Sequence, residues 1–186
     1  MSTRDRGRPK TSSLAALEDA AHELFLEKGY EHASIDDIAR RAGISRATFF
    51  NYFLSKSDVL WVDIDHALAR LEHQLRHTEH LGDALRAVAT EHPRERIPLV
   101  VTQSEAMGLG VDLAASAGIR LERLRRILEG SRVEASDVWI VLGALVGALH
   151  QWATHQAPRV DLGDALEDGL GRIREVLDSR SVATLF

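Results

Sequence analysis

The apolar positions of this chain recur every three or four residues over most of its length, the spacing that gathers them on one face of an α-helix. Leu14, Leu17, Ala21, Leu24 and Phe25 make the first such stripe and Gly29 closes it, so a helix is expected over 12–28. Ser34 and Asp37 form an S-x-x-D capping box ahead of Ile35, Ile38, Ala39 and Ala42, which line a short second helix ending at Gly43. Glycine there permits a tight turn, Ile44 can tuck inward, and Ser45 is placed to cap a third helix over 46–53. Ser55 and Asp58 repeat the box and open a longer fourth helix through Leu60, Ile64, Ala67, Leu71 and Leu75.

The pattern is looser beyond Leu81, with helices expected over 82–91, 95–106 and 112–129 between Pro93, Pro98, Gly108, Gly110 and Gly130. Two stronger helices follow over 134–155 and 161–178, separated by Ala157-Pro158. No repeat of solenoid period and no low-complexity tract interrupts them.

Composition agrees with this pattern. A chain of 186 residues with 45% hydrophobic and 27% charged residues can bury a core, and 4 prolines with few aromatics favour helices over sheets. The expected fold is all-α with about nine helices, divided into a basic arm (1–11), a helix-turn-helix domain (12–58) and a C-terminal helical bundle (59–186). With 0 cysteines there is no disulfide, thiolate metal site or cysteine nucleophile, and the cytoplasm is the expected compartment. The first residues lack an apolar core like that of a signal peptide, and no apolar run reaches membrane-spanning length, so no membrane partner is expected.

Charge divides the chain further. The net charge is -5, yet Arg40, Arg41, Arg46 and Lys56 fall in a stretch without acids, and Arg4, Arg6, Arg8 and Lys10 outnumber Asp5 at the start. An acidic stretch from Glu18 to Asp37 lies between these basic islands. The segment 34–56 therefore combines helix, glycine turn and helix with local positive charge, a shape that can place its second helix in the major groove of DNA. Phe49 and Phe53 share the inward face, leaving Arg46, Ala47, Thr48, Asn51 and Tyr52 outside. Asn can bond adenine and Arg guanine, Ala47 is small enough to meet a thymine methyl, and Lys56 sits where a phosphate can be held. An ordinary helical corner with solvated polar residues would carry the same periodicity.

Ala21-His22-Glu23-Leu24-Phe25, Gly29-Tyr30, Ser34-Ile35-Asp36-Asp37-Ile38-Ala39, Ala42-Gly43-Ile44-Ser45, Thr48-Phe49-Phe50-Asn51-Tyr52-Phe53 and Ser55-Lys56-Ser57-Asp58 follow in fixed order. Over residues 12–60 this closely resembles the DNA-binding domain of TetR-family transcriptional regulators. The resemblance implies an all-helical homodimer, with three N-terminal helices on double-stranded DNA and a C-terminal bundle that senses a small molecule. It assigns Arg46, Ala47, Thr48 and Asn51 to the groove, and Tyr52, Lys56 and the cap at Ser34 to phosphates. Phe50 departs from the family's frequent tyrosine and removes a hydroxyl that could meet the DNA backbone. In the arm, Gly7-Arg8-Pro9 resembles a minor-groove hook reading through Arg8, although a basic tail would also attract DNA.

Residues 138–149 are all apolar or glycine. Gly143, Ala144, Gly147 and Ala148, facing Leu166, Leu170 and Ile173 of the next helix, suggest a two-fold four-helix dimer interface, with an intramolecular core as the alternative. The resemblance favours the dimer. An apolar or amphipathic effector is expected between the middle helices, touched by Met107, Trp139 or Trp152. Trp61 is expected at the domain junction, where a tilt of the fourth helix would respace the recognition helices and release a palindromic operator. His66, His73, His77 and His80 fall within roughly a 60° arc if the fourth helix runs that far. They invite a metal reading, but their arc faces away from the apolar stripe and no metal or other cofactor is assigned. No phosphate loop, nucleophile motif or carboxylate pair points to an enzyme. The alternatives are an architectural DNA-binding protein without a ligand and a histidine-based metal sensor.

Overall fold

The computed structural model describes residues 10–92, 97, 98, 100, 111–155 and 160–174. Among them the chain forms eight α-helices, one 3-10 turn and no strand. The helices are α1 (Lys10–Lys28), α2 (Ile35–Arg41), α3 (Arg46–Phe50), α4 (Val62–Gln74), α5 (Leu81–Thr90), α6 (Val111–Glu129), α7 (Val138–Thr154) and α8 (Leu162–Arg174), with the 3-10 turn Ser57–Trp61 ahead of α4. No helix among the described residues is long and apolar enough to cross a membrane.

The first three helices close around Leu17, Ala21, Phe25, Ile38 and Phe49, all buried. Phe49 lies 5.3 Å from Phe53 between ring centroids, and Phe25 lies 5.2 Å from Tyr30. Gly29 and Gly43 adopt φ of +80° and +70°, conformations in which a Cβ is strained, so each chain reversal falls on a glycine. Helix α3 is shorter than its sequence suggests. After Phe50 the Asn51 and Tyr52 N–H groups donate to Thr48 and Phe49 carbonyls three residues back, which tightens the last turn and ends the helix.

The fourth helix also differs from its expected form. Asp58 Oδ2 accepts from both the backbone N–H and the hydroxyl of Ser55 at 2.9 Å, and the chain then winds as a 3-10 turn. Ser57, Asp58, Val59 and Leu60 are buried in succession, because this turn is wedged between the N-terminal helices and α6. Only at Val62 does α-helix begin. It stops at Gln74, so His77 lies in the following turn and His80 precedes α5, and the four histidines do not share one helix.

The larger core joins Leu68 and Leu71 of α4, Leu85 and Val88 of α5, Leu128 of α6, Val141 and Leu145 of α7, and Leu166 and Leu170 of α8. Helix α8 packs across both α5 and α7. A Cβ built at Gly169 would stand 2.5 Å from the Ala148 Cβ, so α7 and α8 meet backbone to side chain at that point. Ala148, Leu166 and Leu170, read from sequence as dimer contacts, are buried within one protomer, where α8 packs against α7 and α5. Gly143 and Gly147 are exposed, and a methyl on either would meet nothing within 4 Å. Ala144 is half-buried, and the side chain of Ile173 lies outside the described residues.

Candidate DNA interface and effector cavity

The DNA-facing side is built by two serine caps. Ser34 Oγ accepts the Asp37 N–H at 3.1 Å, while Asp37 Oδ2 accepts the Ser34 N–H at 3.1 Å and its hydroxyl at 2.7 Å. Lys28 Nζ reaches the same oxygen at 2.7 Å. This ammonium, followed by the Ser34 donors, holds the Asp37 carboxyl well below the usual carboxylate range. Ser45 caps α3 by accepting the Thr48 N–H at 3.0 Å, with the two hydroxyls 2.8 Å apart. Thr48 thus helps to fix the start of the helix.

Along α3 the exposed face carries Arg46, Ala47, Phe50 and, at the C-cap, Asn51. Arg46 bonds Asp36 at 2.9 Å and its guanidinium lies 5.5 Å from the Phe50 ring centroid. Phe50 is therefore a support for Arg46, a role its hydroxyl-free ring can fill. Tyr52 is half-buried against the N-terminal core. Lys56 Nζ donates to the Tyr30 carbonyl at 2.7 Å and sits 3.9 Å from the Tyr30 ring centroid, tying the chain after α3 to the end of α1. Of the other basic residues in this stretch, Arg41 grips Glu27 of α1 through both guanidinium nitrogens at 2.6 and 2.7 Å. Arg40 remains exposed, 3.2 Å from Asp37. Arg8 lies outside the described residues.

A second site lies inside the C-terminal bundle. A cavity of about 520 Å³ opens between α4, α5, α6, α7 and α8, walled by side chains such as Ile64, Leu68, Val88, Leu121, Leu145 and Leu166. Four polar side chains, Asp63, Arg120, His92 and His150, interrupt this apolar wall. Trp61 lines it as well. The residues singled out from sequence are placed otherwise. Trp139 is 66% exposed near the start of α7, two turns ahead of Val146, the first wall residue on its own side of the helix. Trp152 is buried behind the wall, its Nε1 donating to the Val160 carbonyl at 3.0 Å and its ring 5.9 Å from His92. Met107 lies outside the described residues.

A polar cluster that sequence reasoning missed connects the two sites. Arg120 of α6 bonds Asp65 of α4 through Nη2 at 2.7 Å and Nε at 3.1 Å, and Asp58 of the 3-10 turn through Nη1 at 2.8 Å. Burial disfavours the charge on Arg120, but the bonds to Asp65 and Asp58 outweigh that effect and raise its pKa. Trp61 Nε1 donates to Ser116 Oγ at 2.9 Å beside it. Nothing local marks Arg120 among the arginines around it, and Asp58 is legible only as a cap; their pairing spans 62 positions.

Comparison with known proteins agrees with this arrangement. Residues 17–60 match the family model described as bacterial regulatory proteins, tetR family. A Mycobacterium tuberculosis protein provisionally named as the mycofactocin biosynthesis transcriptional regulator MftR is 30% identical over 179 residues, covering 86% of this chain and 88% of its own. The fatty acid metabolism regulator protein of Bacillus subtilis is 26% identical over 135 residues, 68% of each chain. Among solved structures, Thermus thermophilus FadR, a TetR-family transcriptional repressor in complex with lauroyl-CoA, superposes with a TM-score of 0.53 at 25% identity, over 86% of this chain and 92% of its own. With a relative at 30% identity matched over most of both chains and the family model matched over residues 17–60, the chain belongs to the TetR family of DNA-binding transcriptional regulators.

Proposed function

We propose that this regulator is a cytoplasmic homodimeric repressor that leaves a palindromic operator when an acyl-chain effector enters the cavity of the C-terminal bundle. The observation that carries this reading is the cavity itself. A volume of about 520 Å³ walled by aliphatic side chains suits a long apolar body, and the few polar groups on its wall suit one polar end. The lauroyl-CoA bound by the similar Thermus repressor is a ligand of that chemistry. On the DNA side, Arg46, Ala47, Thr48 and Asn51 read the groove, while Tyr52, Lys56 and the Ser34 cap meet phosphates. One α3 covers few bases, so two copies are required for a selective site.

The test is fluorescence anisotropy of DNA from upstream of the protein's own gene, against a shuffled control, at two salt concentrations and with lauroyl-CoA added. Selective binding that lauroyl-CoA releases is the expected result; selective binding unaffected by it refutes the acyl effector. Within the same assay Asn51→Ala relaxes discrimination by about 1–3 kcal/mol, whereas Lys56→Ala weakens all DNAs alike and flattens the salt slope by about one unit. Equal losses on specific and shuffled DNA from both changes would contradict that division.

A further inference from the structure

Arg120 stands at a meeting point of the two sites. Its side chain forms part of the cavity wall, yet it is only 11% exposed because its guanidinium is turned into carboxylates on two other elements. Its own helix α6 and one of those elements, α4, both line the cavity. The other element, the 3-10 turn, belongs to the path that leaves the recognition helix. Asp58 Oδ1 takes the Arg120 Nη1 bond at 2.8 Å, and Asp58 Oδ2 holds Ser55 at 2.9 Å. Ser55 is joined through Leu54 to Phe53, whose ring packs 5.3 Å from Phe49 of α3. Cavity wall, guanidinium, carboxylate, serine cap and recognition helix are thereby in unbroken contact.

The bonds are unequal. Asp65 is held by Nη2 and Nε, an arrangement that ties α6 to α4. Asp58 is held by one nitrogen, which also reaches the Ser116 carbonyl at 3.2 Å. Arg123 adds a longer contact to Asp65 Oδ1 at 4.0 Å and none to Asp58. When the bundle shifts, the single bond to Asp58 is the one with least to hold it. A largely buried ion pair pulled apart leaves each charge poorly solvated, so the contact behaves as made or broken.

We propose that Arg120 is the positioning residue through which cavity occupancy reaches the DNA: a ligand body pressed against the cavity faces of α4 and α6 draws Arg120 away from Asp58, and the freed Ser55–Asp58 cap lets α3 leave its DNA-binding placement. This rests on the effector reading above and names its route. Asp58 is absent from the cavity wall, which allows the route to be cut without touching the ligand.

Operator affinity is measured for the wild type, Asp58→Asn, Arg120→Met and the double variant, with and without lauroyl-CoA, and lauroyl-CoA affinity is measured separately by calorimetry. Asp58→Asn is nearly isosteric, and its amide keeps an acceptor for Ser55, so it tests the route even if Arg120→Met folds poorly. The expected result is that each single variant binds operator about tenfold more weakly without ligand, that the double variant loses no more than either, and that Asp58→Asn binds lauroyl-CoA more tightly than the wild type, as reciprocal coupling demands. A merely structural role would not tighten ligand binding. Losses that multiply in the double variant, or a wild-type response to lauroyl-CoA retained in Asp58→Asn, overturn the proposal. If the wild type ignores lauroyl-CoA, the acyl-effector reading fails, while the double-variant cycle on operator affinity still decides for or against the link.

Discussion

Asp37 shows how much one side chain carries at the DNA-facing end. It closes the cap on Ser34, pairs with Lys28 of α1 and faces Arg40, joining three parts of the N-terminal domain. Because Lys28 and Ser34 depress its pKa in the folded state, its contribution to stability is complete above the unfolded value near 4 and is lost as pH falls toward the lower folded value. Acid unfolding followed by circular dichroism is therefore expected to be less steep below about pH 4 in Asp37→Asn than in the wild type. Caps of this kind are legible in sequence, since Ser34 and Asp37 need only each other, three positions apart, and Gly43 needs only its own φ. Arg46 is legible as a surface cation but not as the partner of Asp36 and Phe50. Arg120 is not legible at all, because its partners are set by how α4, α6 and the 3-10 turn come together.

The helices themselves follow from apolar spacing, and their differences from expectation fall where tertiary contact overrides it. Leu60 and Ile64 keep helical spacing, but burial on all sides of Ser57–Leu60 selects the tighter 3-10 winding. The histidine stripe requires a helix that continues past Gln74, where α4 stops; His73 and His77 still approach to 4.8 Å between ring centroids, across the helix end. The pairing of α7 with α8 follows from their apolar stripes, but which small residue makes the contact does not. Gly143 and Gly147 look equivalent to Gly169 in sequence, yet only at Gly169 does a Cβ meet another side chain at 2.5 Å. Gly169→Ala is accordingly expected to destabilise the protein by about 1–3 kcal/mol in urea denaturation, through overpacking against Ala148. Gly147→Ala in the isolated protomer has no such neighbour, and a small gain from reduced unfolded-state freedom is consistent with that.

For the whole molecule, α7 presents Trp139 and Ile140 beside the open glycines, a patch that no part of the described protomer covers. A second copy related by a two-fold axis would bury it, and each residue would then count twice. Ile140→Glu is expected to convert dimer to monomer in sedimentation velocity and to reduce operator affinity by roughly a hundredfold or more, since the two half-sites would no longer be held together. A variant that remains dimeric would place the interface elsewhere. The cavity belongs to the same scale: five helices bound it, so no local stretch of sequence could reveal it.

The three tryptophans occupy three separate working parts of this molecule. Trp61 is hydrogen-bonded at the junction between cavity and DNA domain, Trp139 stands on the exposed α7 face, and Trp152 is buried beside His92 at the cavity wall. With 0 cysteines in the chain, a single thiol can be introduced anywhere for a label without competition. The protein thus carries its own optical reporters: keeping one tryptophan at a time separates transmission, association and occupancy into three emission signals, one from each single-tryptophan variant.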